Sequence, residues 1–189
     1  MRNWIIGLVA FTLTTGAFNV ATAEDVAVIE TKFGKMVIAF YTNDAPKTCA
    51  NFIKLAKEGF YNGTIFHRCI PGFMIQGGDP LTKDEKNIGR YGTGDPGYTV
   101  EAEIKRDHKR GTVATARTDN PQKRSSGSQF FINVKENSFL NNNYTVFGEV
   151  IKGVEVADKI VAQERDGRDN PKERIEMKVS IVDKAEAMK

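Results

Sequence analysis

A chain of 189 residues with 27 Lys+Arg against 24 Asp+Glu has the length of about one domain and can bury roughly 70% of its unfolded surface in a real core. A formal net charge of +3 provides no general attraction for a polyanion, which argues against a nucleic-acid partner. Two histidines and two cysteines, without ligand spacing, exclude a recognisable metal centre and any nucleophile built on a Cys-His or Ser-His pair.

The chain opens on Met1-Arg2-Asn3, an apolar run from Trp4 to Leu13 and the small-residue end Ala21-Thr22-Ala23. This is the pattern of a secretory signal peptide cleaved after Ala23, followed by one domain over residues 24–189. The run has 10 residues, short of the roughly 18 that a membrane span needs, so no membrane attachment is expected after cleavage. Val26 to Thr31 and Lys35 to Tyr41 read as a β-hairpin, with Met36, Ile38 and Phe40 on one face and Val37, Ala39 and Tyr41 on the other. Asn43-Asp44-Ala45-Pro46 carries helix-start residues, and Cys49, Phe52, Ile53 and Ala56 recur at helical spacing until Gly59. Cys49 and Cys69 lie in apolar surroundings that favour buried thiols, although an oxidising compartment leaves a disulfide open.

The stretch Phe66-His67-Arg68-Cys69-Ile70-Pro71-Gly72-Phe73-Met74-Ile75-Gln76-Gly77-Gly78-Asp79 puts one arginine in an apolar strand, breaks at Pro71-Gly72 and resumes in a second apolar strand. Strand alternation predicts that Met74 and Gln76 share a face, and that Phe66 and Arg68 share one. An unpaired guanidinium is costly to bury, so Arg68 either meets a partner as a brace between strands or faces a half-open pocket. Between Gly77 and Gly97 lie six glycines and two Asp-Pro pairs, a loop composition. Gly92, Gly94 and Gly97 match the spacing of a dinucleotide loop, but Pro96 interrupts it and neither the strand before nor the helix after is present.

The run Lys105 to Arg110 is basic but short, broken by Asp107 and without aromatics, and reads as a solvated loop. Thr112 to Ala116 is a further strand, Arg117 to Ser128 a polar loop, and Gln129 to Val134 a strand with Gln129 and Phe131 on one face. Phe139 and Leu140 lie in a loop, Tyr144 to Val150 is a strand, and Val156, Ala157, Ile160 and Val161 mark a short helix. A turn over Asp166 to Pro171 precedes a last strand through Ile175, Met177, Val179 and Ile181. Short strands with two isolated helices and no β-α-β rhythm predict a mainly β protein, a closed antiparallel barrel with helices packed on it.

The Phe66 to Asp79 segment and Ser126-Gly127-Ser128-Gln129-Phe130-Phe131-Ile132 together closely resemble the two signature segments of cyclophilins, the cyclosporin-type peptidyl-prolyl cis-trans isomerases. The similarity runs through the chain after the leader, and with that leader it resembles a bacterial periplasmic member. The resemblance implies an eight-stranded antiparallel barrel capped by two helices, with a proline pocket on its outer surface, acting without a cofactor. The implied partners are proline-containing segments of unfolded exported proteins, bound by a monomer.

By motif position, Arg68 matches the catalytic arginine, supported by Gln76. Phe73, Met74, Phe131 and Leu140 match the walls of the proline pocket, and Gln129 the second polar residue that helps hold Arg68 and the peptide. Ala116 and Arg117 lie where the peptide backbone pairs, although Arg117 and Thr118 stand where asparagine and alanine are frequent. Tyr144 replaces a frequent histidine at the pocket edge. Phe139 stands where many members carry a tryptophan that contacts cyclosporin, which implies weak binding of that drug at most.

The residue types suit the reaction. Rotation about an X-Pro bond faces a barrier of about 20 kcal/mol because the nitrogen shares its lone pair with the carbonyl. The twisted state loses that sharing, so a donor aimed at the nitrogen binds it better than the planar ground state. Arg68 has a fixed charge and transfers no proton. A groove that holds proline segments without essential catalysis, as a holdase or scaffold, is the alternative reading.

Overall fold

The computed structural model describes residues 24–189, so the expected leader and its cleavage after Ala23 lie outside the described residues. β1 (Asp25–Thr31) and β2 (Gly34–Phe40) form the expected hairpin, in register from Val26↔Ala39 to Thr31↔Gly34. Ala27, Ile29, Met36 and Ile38 point into the main core, while Val26, Val28 and Val37 form a small outer cluster. α1 (Pro46–Lys57) begins with proline, yet neither Asn43 nor Asp44 caps it. The Glu103 carboxylate, far along the chain, accepts from the N–H groups of Lys47 (3.0 Å) and Thr48 (2.8 Å). It thereby satisfies donors that a helix start leaves open, at the end where negative charge is favoured.

β3 (Arg68–Ile70) and β4 (Met74–Gly77) turn back on each other at Pro71-Gly72, where Gly72 takes φ +68°, a conformation that favours glycine. Two 3₁₀ turns, Pro80–Lys83 and Glu85–Arg90, occupy part of the glycine-rich stretch. β5 (Thr99–Val100), β6 (Thr112–Thr115), β7 (Ser125–Ser126) and β8 (Phe130–Asn133) follow. Then come a 3₁₀ turn at Ser138–Leu140, β9 (Val146–Lys152), α2 (Val154–Val161), β10 (Lys178–Asp183) and a last helical turn, α3 (Lys184–Ala187). The β5–β7 pair and α3 were not expected from the sequence; two-residue strands and a one-turn helix are too short to show a period.

Eight strands form one antiparallel sheet in the order β10-β1-β2-β9-β6-β8-β4-β3. Its two outer strands approach each other through irregular chain. Ile65 bridges Glu176, Gly63 N–H donates to Met177 O at 3.0 Å, and Phe66 N–H donates to Ile175 O at 3.1 Å. Residues 175–177, expected as part of the last strand, serve as this link. The inner face of the sheet and the apolar faces of α1 and α2 make one core, in which Phe52 packs on Tyr61, Phe130 and Phe147. Cys49 and Cys69 are free and buried in it, and burial pushes both thiols up to about 12.

The run Lys105 to Arg110 is the exposed loop expected of it, except at His108, and two of its charges are engaged. The Arg106 guanidinium lies 3.7 Å from the Tyr41 ring centroid and binds Asp44, and Arg110 chelates Asp158. His108 between them is fully buried. Arg106 and Arg110 each have a carboxylate partner from a distant segment, so the run straps elements together; one-dimensional spacing does not reveal such pairing.

Candidate active site

One lateral row of the sheet builds the site. Register pairs Arg68 with Gln76, Gln76 with Phe131, Phe131 with Ala114 and Ala114 with Val146 across five neighbouring strands. Strands are about 4.8 Å apart, so the Arg68 and Phe131 backbones lie roughly 10 Å apart, with that of Gln76 between them. All these side chains point outward, away from the main core. Met74, Ala114, Phe131, Leu140 and Val146 form a separate buried cluster there, flanked by Phe73, Ala116 and Tyr144. Above it is a cavity of about 300 Å³, with Arg68, Phe73, Met74, Gln76, Ala116, Arg117, Phe131, Leu140 and Tyr144 in its wall.

Arg68 reaches this wall through a break in alternation. His67 N–H donates to Gln76 O at 3.0 Å, while Arg68 is itself the partner of Gln76, so two consecutive residues oppose one. This is a β-bulge, a device that re-aims side chains beside sites. The expectation that Phe66 and Arg68 share a face is therefore corrected. Phe66 turns inward against Phe130, with ring centroids 6.3 Å apart, and His67 and Arg68 both line the cavity. Arg68 is exposed, and among the described residues it forms no ion pair, which rejects the reading of a buried brace.

Gln129 is buried behind the wall rather than in it. Its Oε1 accepts from Gln76 Nε2 at 3.0 Å, and its own Nε2 donates to the carbonyls of Gly92 and Gly94. The expected hold on Arg68 is thus indirect: Gln129 orients Gln76, the cross-strand neighbour of Arg68. The glycine spacing that imitates a nucleotide loop has its explanation here. The buried Asp79 carboxylate accepts from Gly92 N–H (2.5 Å) and Leu81 N–H (2.8 Å), so carboxylate and amide grip the loop from both sides. A Cβ on Gly94 collides with the Asp79 carboxylate and with Leu81, whereas one on Gly89 meets nothing within 4 Å. Gly94→Ala is expected to cost about 1–3 kcal/mol by overpacking, and Gly89→Ala to stay within about 0.5 kcal/mol, in chemical denaturation.

Arg117 packs over Tyr144, with 5.0 Å from the guanidinium carbon to the ring centroid, and its Nε donates to Asn143 O at 3.0 Å. Among the described residues its main-chain N–H and C=O take no backbone partner, unlike those of neighbouring Ala116. Phe139, like Gln129, is an expected pocket residue that the structure leaves out of the wall. It is 69% exposed and packs against Phe73 at 5.4 Å, because the 3₁₀ turn points Leu140 inward and its neighbour out. Sequence reasoning missed Ile88, Tyr91, Arg168 and Asn170, which reach the cavity from two loops. It also missed His108, which stacks at 5.8 Å behind Phe131 and fixes that ring.

His67 is buried with both ring nitrogens unpartnered, and burial pushes its imidazole down to about 4, against a smaller upward pull from Asp79. Burial lowers His108 too. A folded-state value below the unfolded one means that the unfolded chain binds more protons as pH falls, so stability drops below about pH 6.5 and levels off near 4, by about 3 kcal/mol for His67. Denaturation of the wild type and of His67→Gln across that range measures this, since carboxylate titrations common to both cancel in the difference. Equal slopes contradict it.

The comparisons with known proteins agree with this geometry. A family model described as cyclophilin type peptidyl-prolyl cis-trans isomerase/CLD matches residues 26–182. A peptidyl-prolyl cis-trans isomerase of Acinetobacter baylyi is 47% identical over 145 residues, covering 74% of this chain and 73% of that protein. Peptidyl-prolyl cis-trans isomerase A of Dickeya dadantii is 38% identical, with 100% of both chains covered. A crystal structure of a Cryptosporidium parvum cyclophilin type isomerase, in the presence of the dipeptide Ala-Pro, is similar at a TM-score of 0.74 and 32% identity, covering 84% of this chain and 98% of that one.

Proposed function

The chain belongs to the cyclophilin-type peptidyl-prolyl cis-trans isomerases and catalyses that reaction on proline-containing peptide segments, and from this premise we propose which residues carry the chemistry. The substrate proline enters the slot between Phe73, Met74, Phe131 and Leu140. Arg68 donates to the imide nitrogen as it becomes pyramidal, Gln76 holds the adjacent peptide group, and the free N–H and C=O of Arg117 pair with the peptide backbone. The single observation that carries this reading is a guanidinium, without an ion pair among the described residues, one strand beyond an amide and two strands from the slot's central ring.

Bringing a step of about ten seconds to about a millisecond is roughly 10⁴-fold, or about 5.5 kcal/mol. One hydrogen bond to a charged group contributes about 1.5–3 kcal/mol. Desolvation of the imide by the apolar slot, which weakens its polar resonance form, and backbone pairing that holds one side while the other turns contribute the remainder.

The leader pattern and the full-length similarity to the Dickeya protein support an exported, periplasmic enzyme cleaved after Ala23 and acting on folding clients; in this reading it acts as a monomer. The exposed Phe139 supports weak cyclosporin binding at most. Exposed apolar groups at Ile88 and Phe139 favour a second activity, the holding of unfolded chains. Exchange spectroscopy on a short Ala-Pro peptide, beside an aggregation assay, separates the two: catalysis predicts exchange at catalytic amounts of protein, and holding alone predicts suppression without it.

A further inference from the structure

Three guanidinium groups, those of Arg68, Arg117 and Arg168, line the cavity, and among the described residues in its wall none is acidic. The carboxylates nearest in sequence to Arg168 are engaged elsewhere. Asp169 bonds Arg165 at 3.2 Å, and Asp166 accepts the backbone N–H groups of Arg168 (2.8 Å) and Asn170 (3.0 Å). These bonds shape the turn that carries Arg168 to the rim. Cys69 N–H donates to Asp169 O at 2.8 Å, which fastens the turn beside the strand that holds Arg68. Arg168 itself is exposed and forms no ion pair among the described residues. The only ion pair of Arg117 among the described residues is a 3.6 Å contact with a fully exposed Asp119. The cavity thus presents fixed positive charge on the Arg168 side as well as on the Arg117 side, with the proline slot to one side of Arg68.

Resting on the isomerase reading above, we propose that Arg168 is a specificity-determining residue that selects segments with an acidic side chain flanking the proline. A carboxylate in the residue leaving the slot toward the 166–170 turn meets an unpaired guanidinium without displacing an existing ion pair. A lysine at the same place meets a like charge.

The test uses peptides Ala-Glu-Pro-Ala, Ala-Lys-Pro-Ala, Ala-Ala-Pro-Glu and Ala-Ala-Pro-Lys, amidated and acetylated so that no terminal charge contributes. kcat/KM is measured by exchange spectroscopy, and affinity by chemical-shift titration. In the wild type, for at least one flank, glutamate is expected to exceed lysine about fivefold at low salt and to lose most of that advantage at 1 M salt. In Arg168→Glu the ratio on that flank is expected to fall to unity or invert, and in Arg168→Gln to fall about halfway. Each ratio is taken within one variant, so a general loss of activity cancels. The affinity ratio reads the selection even if turnover fails, which keeps a wrong catalytic assignment distinguishable from a wrong specificity assignment. Ratios unchanged in both variants on both flanks overturn the proposal.

Discussion

Arg68→Ala is expected to lower kcat/KM for an Ala-Pro peptide about 10- to 150-fold, the range that corresponds to one hydrogen bond from a charged donor made in the transition state. Arg68 is exposed, lies on a short edge strand and forms no ion pair among the described residues, so its removal leaves no orphaned carboxylate and no cavity in the core. The thermal midpoint should therefore barely move. That separation matters, because a drop in activity without a drop in stability assigns the loss to chemistry rather than to folding. Arg68→Lys keeps the charge but not the planar fork, and a point charge on a flexible stem is expected to recover only part of the rate.

Phe131→Ala is the second large effect, and it divides differently. Phe131 is 5% exposed at the centre of the row that joins Arg68 to Ala114, stacked on His108 and edge-on to Tyr144 at 5.8 Å. Truncation removes the floor of the slot and takes from His108 and Tyr144 the ring they pack on. Loss of about 3–5 kcal/mol of stability is expected from the cavity, together with a rise in KM because the proline ring no longer has a surface to desolvate it. Phe131→Leu fills most of that volume and should lose less of both. Denaturation gives the first quantity, and peptide titration gives the second in whatever fraction remains folded. A variant that binds peptide normally would remove Phe131 from the slot.

Much of this site was legible in the chain. Period-two alternation in the strand after Pro71-Gly72 put Met74 and Gln76 on one face, and the structure places both at the cavity. The two signature segments supplied Arg68, Phe73 and Phe131 together, and the wider family similarity added Leu140, which alternation alone does not join. The parts that were not legible depend on register and on long-range closure. A bulge at His67-Arg68 reverses the face of Phe66, and a bulge is a property of the pair of strands rather than of either one. Arg168 and Tyr91 come to the rim from loops whose positions follow from backbone bonds to distant residues, such as that between Cys69 and Asp169. His108 was hidden by the charges around it, because Arg106 and Arg110 find their partners, Asp44 and Asp158, far away in sequence. Phe139 followed the family position of a pocket residue, but consecutive residues of a 3₁₀ turn point about 120° apart, so it faces away from Leu140.

The sharpest measurement is the cis-trans exchange rate of a proline peptide while bound, at peptide concentrations that saturate both the wild type and Arg68→Ala. A guanidinium that acts only on the twisted imide predicts similar affinity for the two proteins and bound-state exchange at least about tenfold slower in the variant. Equal bound-state exchange, with the whole difference in affinity, would show that Arg68 merely holds the peptide and that the rate comes from elsewhere in the pocket.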